Sequence, residues 1–168
     1  SFPMGCACDD GALYVADGFG NKLHKLRLPD FKHEASTSLR LGLDYPHGLC
    51  LAACSGVRVL FAADWGNHRI CAIDPATLGF MYEFGSKGSD PGEFRYPRGV
   101  ATIEAGGGER LLVADTDNHR LQILSTRGEP LAVFDGIEQP YAAMCAPRPP
   151  GSVMGSAPSD SGTCSSSS

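Results

Sequence analysis

The sequence predicts an all-β fold, a partial β-propeller built of four-stranded antiparallel blades and followed by a disordered C-terminal tail. Three observations predict it. Ala63-Asp64-Trp65-Gly66-Asn67-His68-Arg69-Ile70 returns as Ala114-Asp115-Thr116-Asp117-Asn118-His119-Arg120-Leu121, with a weaker copy at Ala16-Asp17-Gly18-Phe19-Gly20-Asn21-Lys22-Leu23. A second marker precedes each copy, as Phe2-Pro3-Met4-Gly5, Tyr45-Pro46-His47-Gly48 and Tyr96-Pro97-Arg98-Gly99, and a degenerate Gln139-Pro140-Tyr141-Ala142 follows. The prolines step by 43, 51 and 43 residues and the aspartates by 47 and 51, so two independent markers hold phase as they do in a modular array. Between the markers lie short apolar runs bounded by Gly, Pro, Asn or Asp, the pattern of strands joined by turns. No segment sustains a helical period.

Each unit keeps one order. Pro-x-Gly leads into a first apolar run, a Gly-bearing gap follows, and a second run ends in Ala-Asp. A tight turn, a third run, a further gap and a fourth run complete the unit. The third unit shows this best, with runs at 100–103, 111–114, 121–124 and 131–134 and a hairpin turn at Gly106-Gly107-Gly108. Four antiparallel strands in a unit of this length describe a propeller blade. The blades fall at about 1–44, 45–95 and 96–139, with the start of a fourth at 140–146. From Pro147 onward the composition turns to Pro, Gly and Ser. Such a segment cannot bury enough apolar area to offset its ordering entropy, so 147–168 is expected to be disordered.

Pro-x-Gly, then Leu-x-Val-Ala-Asp as in Leu111 to Asp115, then Asn-His-Arg with Ile70 or Leu121 after it, resembles the NHL repeat. The stretch from Phe84 to Pro97 resembles the linker between two such repeats. The resemblance covers residues 1 to about 146 and is strongest in units two and three. It implies a β-propeller, commonly a six-bladed one. Three units and the start of a fourth do not close that ring. The expectation is therefore a fragment of a larger propeller, or a half-ring that pairs with another. Ser1, at the edge of a unit and without Met, favours a fragment or a processed product.

The net charge is −5, with charges mixed along the chain, which argues against a broadly basic nucleic-acid surface. Lys22, Lys25, Arg27 and Lys32 form a local basic cluster, diluted by acidic neighbours. No apolar run approaches the ~20 residues of a membrane span, and no signal-peptide pattern opens the chain. The seven cysteines, Cys6, Cys8, Cys50, Cys54, Cys71, Cys145 and Cys164, include no Cys-x-x-Cys pair. Most occupy apolar strand positions in the repeat, Cys6 matching Leu49 and Val100, and Cys8 matching Leu51. They read as buried structural thiols in a reducing compartment, which points to the cytoplasm.

Candidate residues divide into two sets. Asp17, Asp64 and Asp115 end a strand before a turn and can accept turn N–H groups. Asn67 and Asn118 suit left-handed turn conformations, His68 and His119 open the next strand, and Gly5, Gly48 and Gly99 mark a backbone constraint at the start of the innermost strand. These recur because the blade needs them. The second set varies between units. Met4, His47, Arg98 and Tyr141 sit between the proline and the glycine position, near the axis at one end of the ring. Trp65, a plausible partner anchor, and Asp117 lie in the turns further out.

No nucleophile elbow, His-Glu-x-x-His motif or phosphate-binding loop occurs. The peptidyl-amidoglycolate lyase shares the propeller fold, but that resemblance would need axial histidines on several blades, and only His47 takes such a position. A zinc site needs three or four ligands. The expected function is therefore a non-enzymatic scaffold without cofactor or metal. It would bind a protein partner through loops at one end of the ring, as NHL propellers do in larger proteins such as tripartite-motif ubiquitin ligases. RNA binding is the alternative that the resemblance allows.

Overall fold

The computed structural model describes residues 2–141. The expected tail at 147–168, Cys145, Cys164 and the fourth unit beyond Tyr141 lie outside the described residues. Twelve strands form three sheets of four. The first sheet holds β1 (Pro3–Cys8), β2 (Ala12–Asp17), β3 (Lys22–Arg27) and β4 (Lys32–Ser36). The second holds β5 (Pro46–Cys54), β6 (Val57–Asp64), β7 (Arg69–Ile73) and β8 (Phe80–Phe84). The third holds β9 (Pro97–Ala105), β10 (Gly108–Asp115), β11 (Arg120–Ser125) and β12 (Pro130–Asp135). In every sheet the strands pair antiparallel in chain order. Each sheet is one blade, and β5 packs against both β1 and β9, so the first strands of the blades stand side by side.

Period-2 alternation decides which side chains meet. The second blade packs one face on the first blade and the other on the third. Ala12, Tyr14, Ala16 and Leu23 of the first blade meet Leu49, Leu51, Leu60, Ala62, Cys71 and Ile73 of the second in one core. Cys50, Ala52, Val59, Phe61, Ala63, Ile70 and Ala72 of the second meet Val100, Leu111, Val113 and Leu124 of the third in another. The linker joins this second core through Phe94, which is fully buried. The two cores supply the hydrophobic stabilisation of the array, at about 25 cal/mol per Å² of apolar surface removed from water.

Cys50, Cys54 and Cys71 are buried, as expected, whereas Cys6 and Cys8 are exposed. The repeat register is right, but their face of β1 is the one that a preceding blade would cover, and none stands there among the described residues. On the far side of the third blade Leu112, Leu121 and Ile123 are only partly buried. The hairpin at Gly106 and Gly107 is as expected, with both glycines at positive φ (+60° and +81°), which the tight turn requires.

Candidate functional site

Both sequence markers come to the same end of the sheets, because β1, β5 and β9 start where β2, β6 and β10 finish. Register pairs Pro3 with Asp17, Pro46 with Asp64 and Pro97 with Asp115. The aspartates are hubs that close this end. Asp64 Oδ1 accepts the Asp44 N–H at 2.7 Å, and its Oδ2 accepts from Asn67 Nδ2 at 2.9 Å and Arg69 Nε at 2.8 Å. Asp115 repeats this with the Arg95 N–H at 2.7 Å, Asn118 Nδ2 at 2.9 Å and Arg120 Nε at 2.7 Å, and adds Gln122 Nε2 at 3.0 Å. Asp17 accepts the N–H groups of Phe2 and Gly20. Only Asp17 accepts a backbone N–H of its own turn, from Gly20, whereas Asp64 and Asp115 take the turn asparagine side chain instead. All three reach across to the segment preceding the first strand of their blade.

Asn67 and Asn118 do not take the left-handed conformation expected of them. That conformation falls one residue later, on His68 (φ 56°) and His119 (φ 54°), and in the first blade on Asn21 (φ 53°). The asparagines instead tie the turn down, donating to Gly42 O and Gly88 O as well as to the aspartates. The left-handed residue has its own task. Asn21 Oδ1 accepts the Tyr45 N–H at 2.9 Å, His68 Nδ1 the Tyr96 N–H at 3.1 Å, and His119 Nδ1 the Gln139 N–H at 3.3 Å. Each acceptor fixes the residue that precedes the next proline. Burial and the nearby Lys87 charge hold the His68 pKa below its ordinary value, consistent with a neutral ring that accepts at Nδ1.

The glycines of Pro-x-Gly are explained by crowding at the axis. A Cβ on Gly5 would lie 2.5 Å from His47 O, and one on Gly48 would lie 2.6 Å from Arg98 O. The residues between proline and glycine are thereby brought against the neighbouring blade.

A continuous aromatic ridge crosses all three blades at this end. Phe2 meets Phe19 (ring centroids 5.2 Å), Phe19 meets Tyr45 (5.1 Å), Tyr45 meets Trp65 (5.6 Å) and Trp65 meets Tyr96 (4.4 Å). Phe19 is 67% exposed. His47 lies beside Tyr45 and Trp65. Burial, and secondarily the Arg98 charge, pulls its pKa down to about 4. Arg98 stacks over Tyr141 at 4.4 Å and lies 6.0 Å from the Trp65 ring centre, a cation–π arrangement. Two donors here are buried and unmatched: neither Trp65 Nε1 nor Arg98 Nε meets an acceptor among the described residues. A buried unpaired donor costs about 1–3 kcal/mol, so each calls for a physical reason.

Of the residues expected at the site, His47, Arg98, Tyr141 and Trp65 gather in this cluster. Met4 lies at the first-blade end of the ridge, where a side chain on Gly18 would strike Met4 and the Tyr45 ring. Asp117 stands apart. It is exposed, its N–H donates to Arg95 O, and its side chain makes no hydrogen bond or ion pair with a described residue. Sequence reasoning missed Phe2, Phe19, Tyr45 and Tyr96. The signal was present in part, since aromatic residues precede three of the four marker prolines. Three of the four cations of the basic cluster are paired in place: Arg27 and Lys32 share Asp30, and Lys25 pairs with Glu34. Among the described residues no group of three or more His, Cys, Asp or Glu could hold a metal ion.

No protein-family model matches the chain, and no curated protein matches it in sequence. Solved structures do. The chain is similar to the Kuenenia stuttgartiensis hydrazine synthase at 14% identity and a TM-score of 0.64, covering 83% of this chain and 38% of that one. It resembles virginiamycin B lyase from Staphylococcus aureus at 19% identity and a TM-score of 0.60, covering 83% and 44%. It also resembles a chain of a nidogen/laminin complex at 21% identity and a TM-score of 0.61, covering 83% and 50%. The chain thus spans half or less of the length of these neighbours. At such identities the likeness concerns the fold alone, and that fold is a β-propeller of four-stranded antiparallel blades, of which the described residues form three.

Proposed function

We propose that this chain belongs to an NHL-type propeller and acts as a non-catalytic scaffold that binds a protein partner at the marker end of the ring. The observation that carries the reading is the aromatic ridge from Phe2 to Tyr96, which ends on Arg98 and Tyr141. Large aromatic side chains and arginine are the residue types that dominate protein interfaces. Five ring systems in a row, each contributed by a turn or a strand start, form one surface fixed by the aspartate hubs beneath it. Charge favours a protein over RNA. The chain carries a net charge of −5, and Lys25, Arg27 and Lys32 of the basic cluster on β3 and β4 already pair with carboxylates, whereas RNA affinity rests on several free cations. As part of a larger protein, the propeller would serve as the recognition module of a ubiquitin-ligase-like assembly. The thiols of Cys6, Cys8, Cys54 and Cys71, which form no disulfide with a described residue, suit a reducing cytoplasm.

The test is site-directed photocrosslinking in cells. A benzophenone amino acid at Phe19, on the ridge, is compared with one at Val57, an exposed residue at the opposite end of the sheets. The reading expects discrete protein adducts from position 19 and none from position 57. Equal adducts from both positions, or RNA adducts at position 19, would contradict it.

A further inference from the structure

The geometry points to a carboxylate-binding site between the second and third blades, in which Arg98 and Trp65 take an Asp, Glu or C-terminal carboxylate of the bound partner. The inference rests on the protein-binding reading above and specifies its anchor.

The argument starts from the donors. An arginine side chain and an indole donate hydrogen bonds and accept none, so whatever satisfies Arg98 Nε and Trp65 Nε1 must bring acceptors. Arg98 forms no salt bridge with a described residue, in contrast to Arg69 and Arg120, each of which pairs with the aspartate hub of its blade. Its charge thus has no ion-pair partner among the described residues, and an acceptor that is also anionic answers both deficits. A carboxylate fits the shape. Arg98 Cζ lies over the Tyr141 ring at 4.4 Å, and a guanidinium so placed offers its N–H fork to a two-oxygen partner. Trp65 and Tyr96, 4.4 Å apart at a tilt of 36°, supply apolar area for the methylenes that carry the carboxylate. A phosphate would bring more charge to a place with one such guanidinium. The His47 ring, neutral at physiological pH, adds no second cation.

The position also explains why these residue types occur only once each. The equivalents of Trp65 in the other blades are Gly18 and Thr116, and Thr116 Oγ1 is already bonded to Pro140 O at 2.8 Å. The equivalents of Arg98 are Met4, His47 and Tyr141. The paired donors therefore exist at one blade interface among the described residues.

Trp65 is the only tryptophan in the chain, so its emission reports on this site alone. The experiment titrates the whole chain with N-acetylglutamate α-amide, and separately with N-acetylglutamine α-amide as the isosteric neutral probe. The expected result is a saturable change in Trp65 emission with the glutamate probe, and affinity about tenfold or more weaker for the neutral probe, the size of a charge-assisted hydrogen bond. Arg98→Gln abolishes the response. Arg98→Lys, which keeps the charge and loses the planar fork, weakens it severalfold, and circular dichroism verifies that both variants fold. Equal response to both probes overturns the carboxylate assignment and leaves the protein-binding reading standing, as does no response to either probe. A response to a single-stranded ribo-oligonucleotide that exceeds the glutamate response and falls steeply with salt overturns both.

Discussion

Two arginines sit at the marker end of the third blade, and they are treated in opposite ways. Arg120 is 6% exposed, and its guanidinium is spent entirely on the chain. Nε donates to Asp115, Nη1 to Ser89 O at 2.6 Å, and Nη2 to Asp90 O and Glu93 O at 3.0 Å each. It thereby clamps the linker that delivers Phe94 to the core. Arg98 is stacked on Tyr141 and close to Trp65, yet its buried Nε meets no acceptor. At the repeated Asp115 and Arg120 hydrogen bonding closes on itself. At the variable Trp65 and Arg98 a buried donor is left open among the described residues. Arg120 has its partners within the chain, and under the proposed carboxylate-binding reading Arg98 gives up some stability to keep its donors available.

The largest expected effect breaks the closed side. Asp115→Ala leaves Arg120 buried without its carboxylate and is expected to cost about 3–5 kcal/mol, measured as a shift in the urea unfolding curve by circular dichroism. The second compares blade faces. Ile70, fully buried between blades two and three, has Leu121 as its equivalent on the open face of blade three. Ile70→Ala is expected to cost about 2–5 kcal/mol and Leu121→Ala less than half of that. Equal costs would mean that a second copy or further blades cover that face in solution. Next comes Gly48→Ala, whose methyl would meet Arg98 O. An overpacked site of this kind costs about 1–3 kcal/mol, and the same push is expected to displace Arg98 and weaken the proposed carboxylate binding.

The smallest effect concerns His68. Its folded pKa lies below the ordinary value, so the folded chain binds fewer protons than the unfolded chain as the pH falls. Its contribution is complete above about pH 6.5 and is lost as pH falls through the lowered folded value. His68→Asn, which copies the first blade's Asn21, is expected to flatten the fall in stability as the pH drops below about 6.5. An unchanged slope would show that the Tyr96 N–H bond does not depend on the imidazole.

The strands were legible because period-2 runs and turn residues are local signals, and both markers were legible because they recur. The left-handed residue of the turn was misplaced by one position. Asn67 and His68 are neighbours of permissive type, and only the bond to the next blade's N–H, 28 residues away, decides between them. Cys6 and Cys8 were read from their register as buried, but burial depends on a neighbouring blade and not on the strand that carries them. The ridge was only half visible. His47, Arg98 and Trp65 stand out as variable positions, whereas Phe19, Tyr45 and Tyr96 acquire meaning only once three blades place them edge to edge.

The most direct test of the closed and open arginines is the urea unfolding midpoint of Arg98→Met beside that of Arg120→Met, read by circular dichroism. The account predicts a loss of about 3–5 kcal/mol for Arg120→Met, which strands Asp115. It predicts a change within about 1 kcal/mol for Arg98→Met, since methionine keeps the stacking volume and removes an unsatisfied donor. A loss for Arg98→Met as large as that for Arg120→Met would contradict it, and would make Arg98 part of the blade rather than part of a site.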